Sequence, residues 1–137
     1  MIRVGGPDWA LSTVTLGGDI PDKFRAIAAA GFKHVELFYE DVLNSGMSPR
    51  AIVQMAGDHG LRIVTIFPLR DFQLAGTGEL THPSWGDAGR MFDSACELGA
   101  EMVVVCSNTR SDALSDPEAV AADMAALADR AAARGLN

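Results

Sequence analysis

The segment AAAGFKHVELF (28–38) decides the fold of this chain. Its alanines are strong helix formers, and Gly31 is the residue type that most often follows a helix end, because its backbone can turn left-handed. The run HVELF (34–38) that follows is typical of a buried strand. A similar sequence pattern recurs along the chain, and its later copies are centred on Gly60, Gly99 and Gly135. The repeat therefore predicts a chain built from helix–glycine–strand units.

The β-rich runs after the glycines are continuous rather than alternating. RIVTIF (62–67) follows Gly60, and MVVVC (102–106) follows Gly99. Continuous apolar runs are typical of parallel strands that are covered on both faces. A first strand is predicted over LSTVTL (11–16). The resulting order β-α-β-α-β-α-β-α predicts an α/β fold with a parallel sheet.

The predicted helices carry start signals and apolar stripes. A residue that can cap the free N–H groups of the first turn precedes each helix, and these signals are Asp19 with Asp22, Ser48-Pro49, the box Ser84–Asp87 and the box Ser115–Glu118. Apolar residues then recur at helical spacing. The predicted buried stripes are Phe24, Ile27 and Ala28; Ile52, Met55 and Ala56; Ala88, Met91, Phe92, Ala95 and Leu98; and Val120, Met124, Leu127 and Ala131.

Two architectures accept four β-α units. One is an open sheet with helices on both faces, and the other is half of an eight-stranded barrel, which typically needs about 250 residues. The segment LGGDIP (16–21) after the first predicted strand lacks the G-x-G-x-x-G spacing of dinucleotide-binding sheets. The chain also has no P-loop motif. Residues 1–137 are predicted to form a single domain.

Composition excludes several function classes. The formal net charge of -7, from 18 acidic and 11 basic residues, argues against non-specific binding to nucleic acid. The longest apolar run is too short to span a bilayer, and the N-terminus has no signal-peptide pattern, so we expect a cytoplasmic protein without membrane contact. The two cysteines, Cys96 and Cys106, do not form a disulfide framework and are expected to be free, buried thiols.

Candidate site residues stand at the predicted carboxyl ends of the strands, where parallel α/β folds bind ligands. They are Thr15, Gly17 and Gly18; Glu36, Phe38, Tyr39, Glu40 and Asp41; Arg70 and Asp71; and Cys106, Ser107, Asn108 and Arg110. Arg70 suits a small carboxylate because its guanidinium donates two parallel hydrogen bonds, although an ion pair with Asp71 is the structural alternative. Glu36 either faces a barrel interior or pairs across strands, and Ser107 with Asn108 either caps a loop or lines a pocket.

A complete metal site is not predicted. His34, His59 and His82 form no i, i+4 pair, and neither H-E-x-x-H nor Cys-x-x-Cys is present.

In these residues the chain resembles the N-terminal half of a 3-dehydroshikimate dehydratase. Such enzymes belong to the xylose-isomerase-like (β/α)8 TIM barrels. The phrase around Gly31 is shared by the whole superfamily. The segments PLRDF (68–72) and VVCSN (104–108) are more specific to the dehydratase branch. Phe67 departs from the family pattern, which has Gln before this proline.

The resemblance implies a lyase that removes water from 3-dehydroshikimate, a hydroxylated cyclic carboxylic acid, to give protocatechuate. It implies a divalent cation (Mg, Mn or Co) in the full-length protein, held by ligands on strands 5 to 8 and by none in this segment. Strand 5 is expected to begin at Leu136, so the chain stops before the catalytic half. By resemblance, Arg70 holds the substrate carboxylate or a hydroxyl, Ser107 and Asn108 line the pocket, and Glu36 and Phe38 lie near it.

Two other readings stay open. One is a sibling barrel enzyme, such as a sugar isomerase, an epimerase or an inosose-type dehydratase. The other is a non-catalytic half-barrel that self-associates as a homo-oligomer, because four open parallel strands leave two unpaired edges. We expect the isolated 137-residue piece to aggregate or to be partly molten and to lack activity.

Overall fold

Strands and helices alternate along the chain in the computed structural model, which describes residues 9–72, 83–109, 111, 113 and 116–137. The elements are β1 Ala10–Ser12, a 3-10 turn Thr13–Thr15, α1 Ile20–Ala29, β2 His34–Phe38, α2 Tyr39–Asn44, α3 Pro49–Asp58, β3 Arg62–Leu69, α4 Pro83–Glu97, β4 Met102–Val105 and α5 Pro117–Ala132.

The strands form one parallel four-stranded sheet in the order β1-β2-β3-β4. An open doubly wound sheet reverses its strand order at a switch point, whereas a barrel adds each strand beside the one before it. The sequential order therefore favours the half-barrel over the open sheet. The predicted parallel (β/α)4 architecture is confirmed.

The repeated helix–glycine–strand segment forms a helix C-cap in each of its four copies. Its glycines all have a left-handed backbone, with φ of 90°, 68°, 70° and 75° at Gly31, Gly60, Gly99 and Gly135. In each copy, the residue after the glycine donates its N–H to the carbonyl five residues earlier, and these bonds are Phe32 to Ile27 (3.3 Å), Leu61 to Ala56 (2.8 Å), Ala100 to Ala95 (3.0 Å) and Leu136 to Ala131 (3.0 Å). This is the Schellman arrangement, which turns the chain from helix toward strand.

Two helix starts follow the prediction, and two do not. The side chains of Asp19 and Ser48 each accept an N–H in the first turn, at 3.0 and 3.2 Å. The cap of α5 is Asp116, which accepts the N–H of Glu118 at 3.1 Å, whereas the predicted Ser115 lies outside the described residues. Helix α4 begins at Pro83, one residue before the predicted box.

The core lies between the helices and one face of the sheet. The predicted stripes are buried or partly buried, and Phe24, Ile27, Val35, Leu37 and Ile52 have no exposed area. Both cysteines are free, but the prediction that they are buried is wrong, since Cys96 is exposed and Cys106 is half-buried. Among the described residues, no helix is both long and apolar enough to cross a bilayer.

The first strand is shorter than predicted. It ends at Ser12, and the chain turns at Thr13, whose side chain is fully buried. The Thr13 hydroxyl accepts the N–H of Phe38 at 2.9 Å, so it terminates β2 as well. Helix α2, which follows β2 directly, was not predicted at all.

The last residue lies beside β4. Asn137 donates its N–H to the carbonyl of Glu101 (2.9 Å) and accepts the N–H of Val103 (3.1 Å), which is the hydrogen-bond pattern of a parallel strand. Pairing thus starts at Asn137 rather than at Leu136, whose N–H still bonds to the end of α5.

Candidate functional site

The two faces of the sheet differ in what they present. On β2, Val35 and Leu37 are buried against the helices, whereas Glu36 and Phe38 are only half-buried on the opposite face. In register, Glu36 lies beside Thr65, and Phe38 lies beside Phe67, with their ring centroids 5.9 Å apart. In a barrel this second face points to the interior. The fold therefore fits the alternative in which Glu36 faces the barrel interior.

The segment PLRDF (68–72) builds the end of β3. Leu69 is 4% exposed and Phe72 has no exposed area, whereas Arg70 between them is exposed. Asp71 has φ of 57°, a left-handed conformation that Asp tolerates better than most residues. This turn lets both apolar residues enter the core while the chain carries Arg70 outward.

An aromatic pair anchors the turn. The ring of Phe72 meets Trp85 of α4 edge to face, with centroids 4.6 Å apart and an interplanar angle of 88°. Arg130 of α5 lies 4.3 Å above the Trp85 ring. The conformation of the turn is therefore tied to two helices.

A cavity of about 330 Å³ opens beside Arg70. Its volume falls within the range of small-molecule sites. Four elements supply its walls: the ends of β2 and β3 give Phe38, Pro68, Leu69 and Arg70; α2 gives Tyr39, Glu40 and Leu43; and α4 gives Asp87, Arg90 and Met91. The cavity combines an apolar lining with convergent charges, as small-molecule sites commonly do.

The two arginines that line the cavity differ in whether their guanidinium groups have an ion-pair partner. Arg90 is bonded to Asp87 one helical turn earlier. Arg70 has neither a hydrogen bond nor an ion pair within the described part of the chain, and the alternative of an ion pair with Asp71 is not found there. The donors of Arg70 are thus available to a ligand, while Arg90 is partly neutralised.

The predicted site residues do not all share this cavity. Phe38 and Arg70 come together in its wall, whereas Glu36, two residues before Phe38 on the same face of β2, lies outside the lining. Ser107 is exposed and Asn108 is half-buried just beyond β4, also outside the lining. The N–H of Cys106 bonds to the carbonyl of Leu69 at 2.9 Å, so these two residues follow a strand end next to that of β3.

Sequence reasoning missed Arg90 and the role of α4. Arg90 stands within a helix, paired with Asp87 at i, i+3, and this spacing is ordinary for an exposed helix face. The only usable signal was position, since a helix that follows a strand starts at the ligand-binding end. Arg110, which the prediction placed on the rim, lies outside the described residues.

The donor set does not fit a metal ion. Within the described ranges, no group of three or more His, Cys, Asp or Glu side chains could hold one. The chemistry that these residues offer is anion and hydroxyl binding.

Known proteins match this chain over most of its length. It is 44% identical over 128 residues to a protein named 3-dehydroshikimate dehydratase from Pseudomonas aeruginosa, and 42% identical to one of the same name from Pseudomonas putida. These matches cover 93% of the chain. The chain spans only about a fifth (20%) of the length of these curated relatives.

A solved structure supports the fold. A xylose isomerase-like TIM barrel/4-hydroxyphenylpyruvate dioxygenase fusion protein superposes with a TM-score of 0.86 at 41% identity, over 93% of this chain and 20% of that one. The family model described as "Xylose isomerase-like TIM barrel" matches residues 24–137. The resemblance to 3-dehydroshikimate dehydratases is thereby confirmed, and the chain belongs to the xylose isomerase-like TIM barrel family.

Proposed function

We propose that this chain is the substrate-binding half of the barrel in a lyase that dehydrates 3-dehydroshikimate to protocatechuate. The observation that carries the proposal is the identity of 44% with a protein of that name across 93% of the chain. Because the chain spans about a fifth (20%) of that relative, the activity is assigned to the protein at its natural length.

Arg70 is the proposed contact for the substrate carboxylate. It is exposed at a cavity of about 330 Å³, and it has no partner within the described residues. A guanidinium binds a carboxylate through two parallel, charge-assisted hydrogen bonds. Phe38 of the same wall offers an apolar surface to the flat part of a cyclic acid.

The other predicted residues take separate roles in this proposal. Ser107 and Asn108, at the neighbouring strand end, are proposed to contact the substrate hydroxyls. Glu36 is proposed to contact the substrate from the interior face of the sheet. These three residues act with Arg70 only if the substrate reaches across the strand ends of β2, β3 and β4.

The reaction needs more than this chain provides. The ketone of the substrate acidifies the adjacent C–H, so a base removes that proton, the β-hydroxyl leaves as water, and a further proton shift gives the aromatic ring. A divalent cation (Mg, Mn or Co) is proposed for the full-length protein. Since the described residues do not fit a metal ion, the roles proposed here concern binding and orientation of the substrate.

The test is turnover by the natural-length protein. It is supplied with Mg²⁺, Mn²⁺ or Co²⁺ and with 3-dehydroshikimate, and the absorbance of protocatechuate is followed. We expect product in the parent, and a KM raised about 10- to 100-fold in Arg70→Met, since a hydrogen bond to a charged group contributes about 1.5–3 kcal/mol. Arg50→Met is the matched control, because Arg50 is exposed on α3 and does not line the cavity.

Absence of turnover in a folded, metal-supplied protein would contradict the proposal. Activity on a ketose under the same conditions would instead identify a sibling isomerase or epimerase. A stable dimer of the 137-residue chain without any turnover at natural length would favour the self-associating half-barrel.

A further inference from the structure

A buried ion pair lies at the carboxyl end of β2. Lys23 of α1 is only 5% exposed, and its Nζ lies 2.7 Å from both carboxylate oxygens of Asp41 in α2. The Asp41 side chain is 18% exposed. A lysine is rarely this buried unless it is paired, so the position of Asp41 is strongly constrained.

Thr13 extends the pair into a chain of hydrogen bonds. Its hydroxyl donates to Oδ2 of Asp41 at 2.7 Å and accepts the N–H of Phe38 at 2.9 Å. Thr13 is itself fully buried. The backbone at the end of β2 is thus linked through Thr13 and Asp41 to the buried ammonium of Lys23.

Helix α2 is short and only partly buried. It is six residues long, it has no fully buried side chain, and its N-cap Phe38 makes no side-chain cap. A helix this short is unstable on its own. Among the described residues, its other side-chain hydrogen bond to a distant helix joins Tyr39 Oη and Ser94 Oγ, at 3.3 Å. These polar contacts act on α2 together with the partly buried side chains of Tyr39 and Val42, which pack against the core.

The same helix forms one wall of the cavity beside Arg70, through Tyr39, Glu40 and Leu43. We propose that Lys23, Asp41 and Thr13 are positioning residues, which fix α2 against the strand ends and so set the shape of the substrate cavity. They touch no ligand themselves. The kinetic part of this inference rests on the proposed dehydratase function, and the structural part does not.

The experiment compares variants of the natural-length protein by hydrogen exchange and by kinetics. Asp41→Asn removes the charge at nearly constant volume, and Thr13→Val removes the hydroxyl at constant shape. Thr13→Ser keeps the hydroxyl and should rescue the effect. Asp58→Asn is the matched control, because Asp58 is exposed on α3 and accepts only a bond from Gln54 at 2.9 Å.

We expect Asp41→Asn and Thr13→Val to speed amide exchange at Phe38 and in α2 by at least tenfold, with less than twofold change in α3 and α5. The KM should rise at least fivefold, with a smaller change in kcat. Thr13→Ser and Asp58→Asn should stay within twofold of the parent in both measurements.

Unchanged exchange in α2 would overturn the inference, and so would an increase that spreads equally over α3 and α5, since that result means general destabilisation. If the parent has no turnover, the dehydratase proposal fails, and the exchange data alone decide whether these residues position α2. Should Asp41→Asn fail to fold, Thr13→Val carries the same comparison.

Discussion

Replacing Phe72 by alanine removes the ring that anchors the turn carrying Arg70. The Phe72 side chain has no exposed area, and it packs edge to face on Trp85 with centroids 4.6 Å apart. The residue before it, Asp71, has a left-handed backbone with φ of 57°. Burial of Phe72 is what offsets the cost of this conformation, so its loss should loosen the turn as well as the core.

The expected cost follows from burial and ring geometry. A fully buried Phe→Ala change costs about 3–5 kcal/mol, through lost transfer free energy and the cavity that remains. About 0.5–1.5 kcal/mol of this reflects the aromatic pair itself. Phe72→Leu keeps most of the volume and should cost less than about 1.5 kcal/mol. Both variants should also raise the KM for 3-dehydroshikimate, the proposed substrate, because Arg70 lies two residues away in the same turn.

Urea denaturation of the natural-length protein measures the free energy of unfolding, and steady-state kinetics measures the KM. Ile27→Ala is the matched control, because Ile27 is equally buried and belongs to α1, which does not carry the turn. It should destabilise by about 2–5 kcal/mol without raising the KM. A Phe72→Ala cost below about 1 kcal/mol, or an equal rise in KM for Ile27→Ala, would refute the reasoning.

Other substitutions test the local physics by their shift in the urea midpoint. Gly57 lies inside α3 with nothing within 4 Å of an added Cβ, so Gly57→Ala should stabilise by about 0.5–1 kcal/mol. Gly99 has φ of 70°, so Gly99→Ala should destabilise by about 1–2 kcal/mol, although its surroundings are equally open. Equal signs at the two glycines would contradict the C-cap assignment. Arg62 and Glu101 pair at 3.0 Å but are each 61% exposed, so Glu101→Gln should change stability by less than about 0.5 kcal/mol; a loss above 1 kcal/mol would show that this pair is not an ordinary surface pair.

The fold could be predicted from the sequence because its repeating signal is local. Each glycine, with the residues just before and after it, encodes the helix end and the turn toward the strand, and no distant partner is needed. The strand HVELF was predicted with its observed bounds, His34–Phe38, for the same reason. The structure departs from the prediction where contacts between residues far apart in the sequence determine the local structure. Thr13 leaves the first strand because its hydroxyl is bonded to Phe38 and Asp41, which come 25 and 28 residues later.

The site was only partly predictable, for the same physical reason. Arg70 could be placed at a strand end from PLRDF alone, since the strand and its end are local features. Helix α2 could not be predicted, because it is held by the buried Lys23 and by Ser94 on α4, and neither contact leaves a mark in the sequence of α2. Arg90 reaches the cavity only through the packing of α4 beside β3.

Binding of the proposed product and of an analogue without its carboxylate tests the role of Arg70 most directly. Calorimetry would compare protocatechuate with catechol in the parent and in Arg70→Met, with Arg50→Met as the control. If Arg70 holds the carboxylate, the parent and the control prefer protocatechuate by at least about tenfold, and this preference falls to less than about threefold in Arg70→Met. A preference that is the same in all three proteins would contradict the assignment of this chain as the carboxylate-binding half of the barrel.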